Sequence, residues 1–291
     1  MQWVPFLLDQ ATLLVNAVTI LVVLKILRLV IAKKKTHKQY SLLLLMTCFS
    51  FTYNVTSSFN CIHASMSALF DIYSPILTFW FGSVMYSAAC VTICGNINII
   101  IDRLLAIYKP IPYSLRYHKV CFWTSVFSSC TIMVLVWLMY YFTPPKFVNP
   151  GDRHTGFGTV VDMTAIYRVY VGKSIVGLFN APLTVVFMWK LRKVTKAFHT
   201  ISLTSSSKQA NQAVAHQMIA EIVILIIPTL LTATLEYSTG IRGQMILGDY
   251  HLTLMSCYTL ICACLLMSKL HRSLYEEGSI SITVVREIRT R

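Results

Sequence analysis

The chain has 291 residues, of which 56% are hydrophobic and only 12% charged, with a mean hydropathy of +0.64. Soluble domains carry roughly 25% charged residues, so this charge density points to a membrane protein. Its 25 Lys and Arg outnumber its 11 Asp and Glu but lie between apolar runs rather than in one patch, which argues against nucleic acid as a partner.

A bilayer-crossing helix needs ~20 mostly apolar residues. Seven runs meet that requirement, over residues 5–31, 40–62, 75–102, 120–142, 169–189, 217–236 and 250–267. Only Met1-Gln2-Trp3 and Val4 precede the first run, and they carry no basic residue, so it reads as a span and not as a cleaved signal. Lys25 and Arg28 on its inner half are expected to snorkel, and Lys33, Lys34, Lys35, His37 and Lys38 make a basic loop. The second run is uncharged but rich in Ser, Thr and Asn. The third has no charge from Ile76 to Ile101 and ends on Asp102-Arg103.

Thr143-Pro144-Pro145 closes the fourth run, and a polar loop leads to the fifth, which stops at Lys190. Residues 190–215 read as a basic, Ser-rich connection, and 268–291 as a cytoplasmic tail. In that tail Leu270 and Leu274, flanked by Lys269, His271 and Arg272, predict a short amphipathic helix on the inner leaflet. Residues 1–291 form a single domain. The expected fold class is all-α integral membrane, a seven-transmembrane helix bundle. With the N-terminus outside, 20 Lys and Arg fall on the inner side and five on the outer, which orients the C-terminus to the cytoplasm.

The nine cysteines fall almost entirely inside apolar runs, where Cys behaves as a small hydrophobe. The loop from Thr143 to Arg168 has none, so no bridge from it to the third span is expected, and Cys262-Ala-Cys264 is not a metal or redox spacing. No His-Glu-x-x-His, Gly-x-Ser-x-Gly or phosphate loop is present, and Gly156-Phe157-Gly158 lacks a following Rossmann unit. No catalytic residue, metal or cofactor is therefore expected.

Helical spacing counted backwards from Arg103 selects Asn96, Thr92, Ala89, Met85, Gly82 and Thr78, a face more polar than the rest of its helix. In hydrocarbon such groups turn inward, as glue between helices or as the lining of a cavity. Pro182 and Pro228 interrupt the fifth and sixth runs, each freeing a carbonyl and opening space at mid-membrane. Thr78, Met85, Ala89, Ser174, Thr229, Thr232, His251 and Ser256 are accordingly the candidate ligand contacts. Lys173 and Glu236, near outer ends, read as snorkelling, and Glu221 as a partner for a loop cation such as Arg103. Asn54-Val55-Thr56 matches the glycosylation sequon but lies roughly 12 Å inside the second span, at 1.5 Å per residue, and is expected to be unused.

The order Asp102-Arg103-x-x-Ala106-Ile107-x-x-Pro110-x-x-Tyr113 resembles the end of the third helix and the second inner loop of rhodopsin-like G-protein-coupled receptors. Asn16, Pro182 and Pro228 fall where that superfamily has an Asn and two prolines. Within it the chain is most similar to nematode serpentine chemoreceptors. Phe179-Asn180-Ala181-Pro182-Leu183 and Ile227-Pro228-Thr229-Leu230-Leu231 resemble their class bc branch. The resemblance implies a multi-pass plasma-membrane receptor, in a sensory cilium, with a small-molecule ligand, a heterotrimeric G protein and the lipid bilayer as partners. It implies that Asp102 holds Arg103 at rest, that Arg103 meets the G protein on release, and that Pro110 and Tyr113 shape the loop.

Several family features are missing. The second span lacks an Asp, the seventh has Cys257-Tyr258-Thr259-Leu260-Ile261 in place of Asn-Pro-x-x-Tyr, and Ile226 and Ile227 stand where a Trp precedes the proline. Lys269 lies at the inner end of its span, so a retinal Schiff base is not supported. A small-molecule transporter and a non-catalytic membrane scaffold or channel subunit are the competing classes.

Overall fold

A computed structural model describes residues 3–32, 37–70, 72, 74–143, 157, 160–197, 205–239 and 250–289. Among the described residues the chain is helical throughout, and seven helices are long and apolar enough to cross a bilayer. In chain order they are Trp3–Ala32, His37–Phe70, Pro75–Tyr108, His118–Tyr141, Met163–Ala197, a composite sixth, and Tyr250–Arg289. The sixth joins Ser205–Glu221 through a π-helical turn, Ile222–Ile226, to Ile227–Thr239. The basic loop at 33–36, most of the loop at 144–159, Arg242 and the side chain of Glu236 lie outside what is described.

The helices overrun the apolar runs that mark them. The third continues past Arg103 to Tyr108, the fifth begins at Met163 and ends at Ala197, and Ser205 to His216 is helix rather than connection. Hydropathy registers only the part of a helix that needs lipid, whereas backbone hydrogen bonding continues until a residue stops it. No such stop comes after residue 267. The seventh helix runs unbroken to Arg289, and Leu270 is packed in the core, so the tail is not a separate surface helix starting there.

The third helix is the central post. Ser74 caps it by accepting from Leu77 N–H, Pro75 takes the first-turn position where no donor is needed, and Lys109 leaves helical geometry before Pro110. Its apolar window is 67% buried against 11% for the fourth helix. It packs on the second, fourth and fifth helices, while the first helix lies against the second and seventh. The outward faces carry exposed Leu14, Leu21, Phe127, Leu135 and Val185, an apolar rind that suits lipid and not water.

At the Pro75 end of the bundle, Phe157 drops from the chain before the fifth helix onto the third. Its ring stacks on Tyr86 at 5.0 Å and meets Tyr140 edge-on at 5.2 Å. It lies directly over Gly82, where a Cβ would intrude on the ring. Among the described residues no disulfide is formed. The aromatic contact therefore fastens this segment to the third helix.

Gly82→Ala should push Phe157 out and cost about 1–3 kcal/mol through overpacking. Gly172→Ala, at a helical position with open space around it, should leave stability unchanged or slightly raised. Melting of the two variants in detergent checks this, and equal melting temperatures would contradict the packing described.

Candidate functional site

Three groups close on one another where the third helix ends. Arg103 donates from Nε to Asp102 Oδ2 at 2.9 Å and again from Nη2 to the same oxygen. Arg103 Nη2 also donates to the Tyr113 hydroxyl at 3.0 Å, and that hydroxyl donates to Asp102 Oδ1 at 2.8 Å. Adjacent side chains on a helix do not usually meet. Here the helical turn Pro110–Pro112 and the π-helical turn Tyr113–Tyr117 fold the loop back so that Tyr113 caps the pair. The Tyr113 ring packs edge-on against His118, whose Nε2 is 2.9 Å from Ser41 Oγ of the second helix. Arg103 and Asp102 are only 3% and 2% exposed. Both are thus withheld from anything approaching that end of the bundle, at a desolvation cost that only mutual contact offsets.

Deeper in, polar side chains tie the helices together in pairs and trios. Asn96 Nδ2 donates to the Tyr258 hydroxyl at 2.8 Å, and Gln217 Nε2 donates to Asn96 Oδ1 at 3.1 Å, joining the third, sixth and seventh helices. Asn180 Nδ2 donates to the Ile93 carbonyl at 3.1 Å and to Glu221 Oε1 at 2.8 Å, joining the third, fifth and sixth. Asn54 and Thr259 exchange bonds between the second and seventh. Asn54 is fully buried there, which leaves no room for a glycan.

A cavity of about 40 Å³ lies between the third, fifth, sixth and seventh helices. Its polar wall is Lys173, Ser174, Glu221, Thr229 and His251. Ile93, Leu178, Leu225, Leu230 and Leu254 supply apolar surface. The π-helical turn begins at the residue after Glu221, and Ile227 N–H reaches back five residues to Ile222 O. Such a turn inserts one residue into the ladder and re-aims the helix beyond it, a common device at functional sites.

Of the candidate contacts, Ser174, Thr229 and His251 line this cavity, and Thr78, Met85, Ala89, Thr232 and Ser256 do not. Thr78 is bound to the His63 ring at 3.2 Å and to Ser74 O at 3.1 Å. Met85 and Ala89 are packed with Tyr53, Leu252 and Tyr258 in a filled core, and Ser256 is fully buried beside them. The Thr232 hydroxyl donates to the Pro228 carbonyl at 2.7 Å. Neighbours fill the polar face of the third helix along its length, His63 at Thr78, Phe157 at Gly82, and Gln217 and Tyr258 at Asn96, while Ile93, one residue round, reaches the open space.

Two charged residues take positions different from those expected. Lys173 does not merely snorkel but lines the cavity, with its ammonium 5.7 Å from the centre of the Tyr170 ring. Glu221 bonds Asn180 rather than Arg103, whose carboxylate partner is Asp102. The interval Lys173-Ser174 to Gly177 to Asn180 repeats at helical spacing, a polar stripe that identifies the inward face of the fifth helix.

No protein-family model matches the sequence, and no curated protein does.

Tyr258→Phe deletes the hydroxyl that Asn96 donates to and leaves a buried N–H unmatched, at about 1–3 kcal/mol. The variant should melt several degrees below the parent in detergent. An unchanged melting temperature would mean that Asn96 finds another acceptor and the three-helix junction does not rest on Tyr258.

Proposed function

We propose that the chain is a seven-helix receptor in the plasma membrane that binds a small molecule between its third, fifth, sixth and seventh helices and activates a heterotrimeric G protein. The observation that carries this reading is the closed triangle of Asp102, Arg103 and Tyr113. An arginine at a membrane edge reaches headgroups readily, so insertion does not demand that it be folded under an acid and a tyrosine. A switch does demand it, because switching needs two states with different contacts. The resemblance of residues 102–113 to the rhodopsin-like receptors supports the same assignment of roles: Asp102 and Tyr113 hold, Arg103 engages, and Pro110 turns the loop.

Lys173 and Glu221 on the cavity wall favour a second reading, a transporter, since charged side chains inside a bundle often mark a substrate path. Accumulation of labelled substrate in cells, without nucleotide exchange on a co-expressed G protein, would select it.

Under the receptor reading Asp102→Asn raises basal nucleotide exchange. Tyr113→Phe does so less strongly, since it removes hydrogen bonds to charged groups worth about 1.5–3 kcal/mol each but leaves the ion pair. Arg103→Ala lowers coupling at equal surface density, and Pro110→Ala lowers it less. Normal signalling by Arg103→Ala would reduce the triangle to an interfacial anchor and remove the main support for a receptor.

The orientation has its own test. An epitope tag ahead of Met1 should be accessible on intact cells, and one after Arg291 only once they are permeabilised. Labelling of the second tag on intact cells would reverse the topology.

A further inference from the structure

The cavity wall carries one cation and one carboxylate that do not meet each other. Among the described residues the single ion pair is Asp102–Arg103, so neither Lys173 nor Glu221 has an opposite charge within bonding distance. Glu221 is 1% exposed, and while its Oε1 accepts from Asn180, its Oε2 has no hydrogen-bond partner. Asn96, which gives one amide N–H to Tyr258, also lies within hydrogen-bonding reach of this carboxylate. Lys173 faces the cavity with a tyrosine ring as its neighbour. A buried carboxylate oxygen left unmatched is destabilising, and a cation held against an aromatic face recovers only part of its lost hydration.

The fifth helix spaces the backbone positions from which the lysine and the asparagine that grips Glu221 are presented. Lys173 and Asn180 are seven residues apart, close to two turns, so they share a face and are separated by about 10 Å along the axis. Asn180 is the residue that grips Glu221, which puts the carboxylate at one end of the cavity and the lysine towards the other. Between them the wall is mainly leucine and isoleucine. The space, about 40 Å³ and partly open, is that of about three waters and far below the ~150 Å³ that admits benzene. A ligand that occupies it is therefore short.

We propose that the cavity takes a short amphoteric molecule, with its ammonium against Glu221 Oε2, its carboxylate against Lys173 and no more than one or two methylenes between. Such a ligand cancels both unpaired charges at once, which a neutral volatile of equal size does not. Ser174, whose hydroxyl donates to the Tyr170 carbonyl at 2.9 Å, and the ring of His251, packed on Tyr170, stand at the lysine end. This inference rests on the receptor reading only for its consequence; the binding itself needs no G protein.

The experiment uses the full chain in lipid nanodiscs, with radiolabelled glycine, β-alanine and 4-aminobutyrate as amphoteric probes. Butyrate, butylamine and butanol are the matched single-function controls. Binding is read by scintillation proximity, and nucleotide exchange on an added G protein is read separately. The expected result is saturable binding of at least one amphoteric probe, at least about tenfold tighter than any control. Glu221→Gln and Lys173→Met should each weaken it about tenfold or more, while butylamine binding is insensitive to Lys173→Met and butyrate binding to Glu221→Gln. Melting of both variants confirms that they are folded. Binding without exchange keeps the ligand class and removes the receptor reading. Exchange evoked by butanol or butyrate, with no amphoteric probe bound, keeps the receptor and overturns the ligand class. Absence of all amphoteric binding at millimolar concentration, or affinity unchanged in both variants, overturns it as well, and leaves the two charges bridged by water within the closed bundle.

Discussion

Asn180 decides how three helices stand relative to one another. One amide group, fully buried, commits its two N–H bonds to the Ile93 carbonyl of the third helix and to Glu221 of the sixth. Inside a bundle there is no water to take over either bond, so the fifth helix cannot slide or roll without leaving polar groups bare. The neighbouring Pro182 lies within the same helix and removes a backbone donor two residues from this junction. The side of the bundle that holds the cavity is thus fastened by this amide together with the Asn96, Gln217 and Tyr258 junction. Away from the cavity, between the second, third and seventh helices, the bundle is packed with Tyr53, Met85, Ala88 and Tyr258.

The cavity and the Arg103 triangle are separated along the third helix, and each touches elements that the other does not. Ile93 lines the cavity and Asn96 joins the polar junction with Gln217 and Tyr258. Asp102 and Arg103 lie in the last two turns of the same helix. A change at one site can influence the other only by favouring a second arrangement of these helices. The sixth helix has the makings of such an element, with Glu221 at the cavity, Gln217 in the junction and a π-helical turn beside them. Its registers, α and π, differ by one residue and so differ discretely.

What the amino-acid order disclosed depended on how local the determinant was. The Asp102–Arg103 pair and Tyr113 are eleven residues apart and joined by two prolines, so their meeting is written in one short stretch. The seven spans were legible because hydropathy comes directly from composition, but their ends were not: Ser205 to His216 is polar and still helical, and the seventh helix ignores the end of its apolar run. The lining of the cavity was legible only in part. A helical wheel shows which face of the third helix turns inward, and says nothing of which neighbour fills it. Met85 and Ala89 face inward and are packed, while Ser174, Thr229 and His251 face a gap. The place of Lys173 escapes hydropathy for a related reason. The edges of an apolar run are a poor gauge of depth along a span, and the fifth helix begins well before its run does.

The extra residue in the sixth helix has an arithmetic consequence for the lineage of this sequence. A π-helical turn is what an α-helix becomes when one residue is inserted and the flanking halves keep their packing. Excising a residue between Ile222 and Ile226 would restore an unbroken α-helix and leave the halves on either side facing as they do now, because the wide turn is what absorbs the extra residue. Thr229 and Leu230 would keep their places on the cavity wall, and only the stretch beside Glu221 that carries Leu225 and Ile226 would tighten. A change of length at this one turn should therefore reshape the hollow locally, at the carboxylate, without altering what the outer half of the helix presents to it.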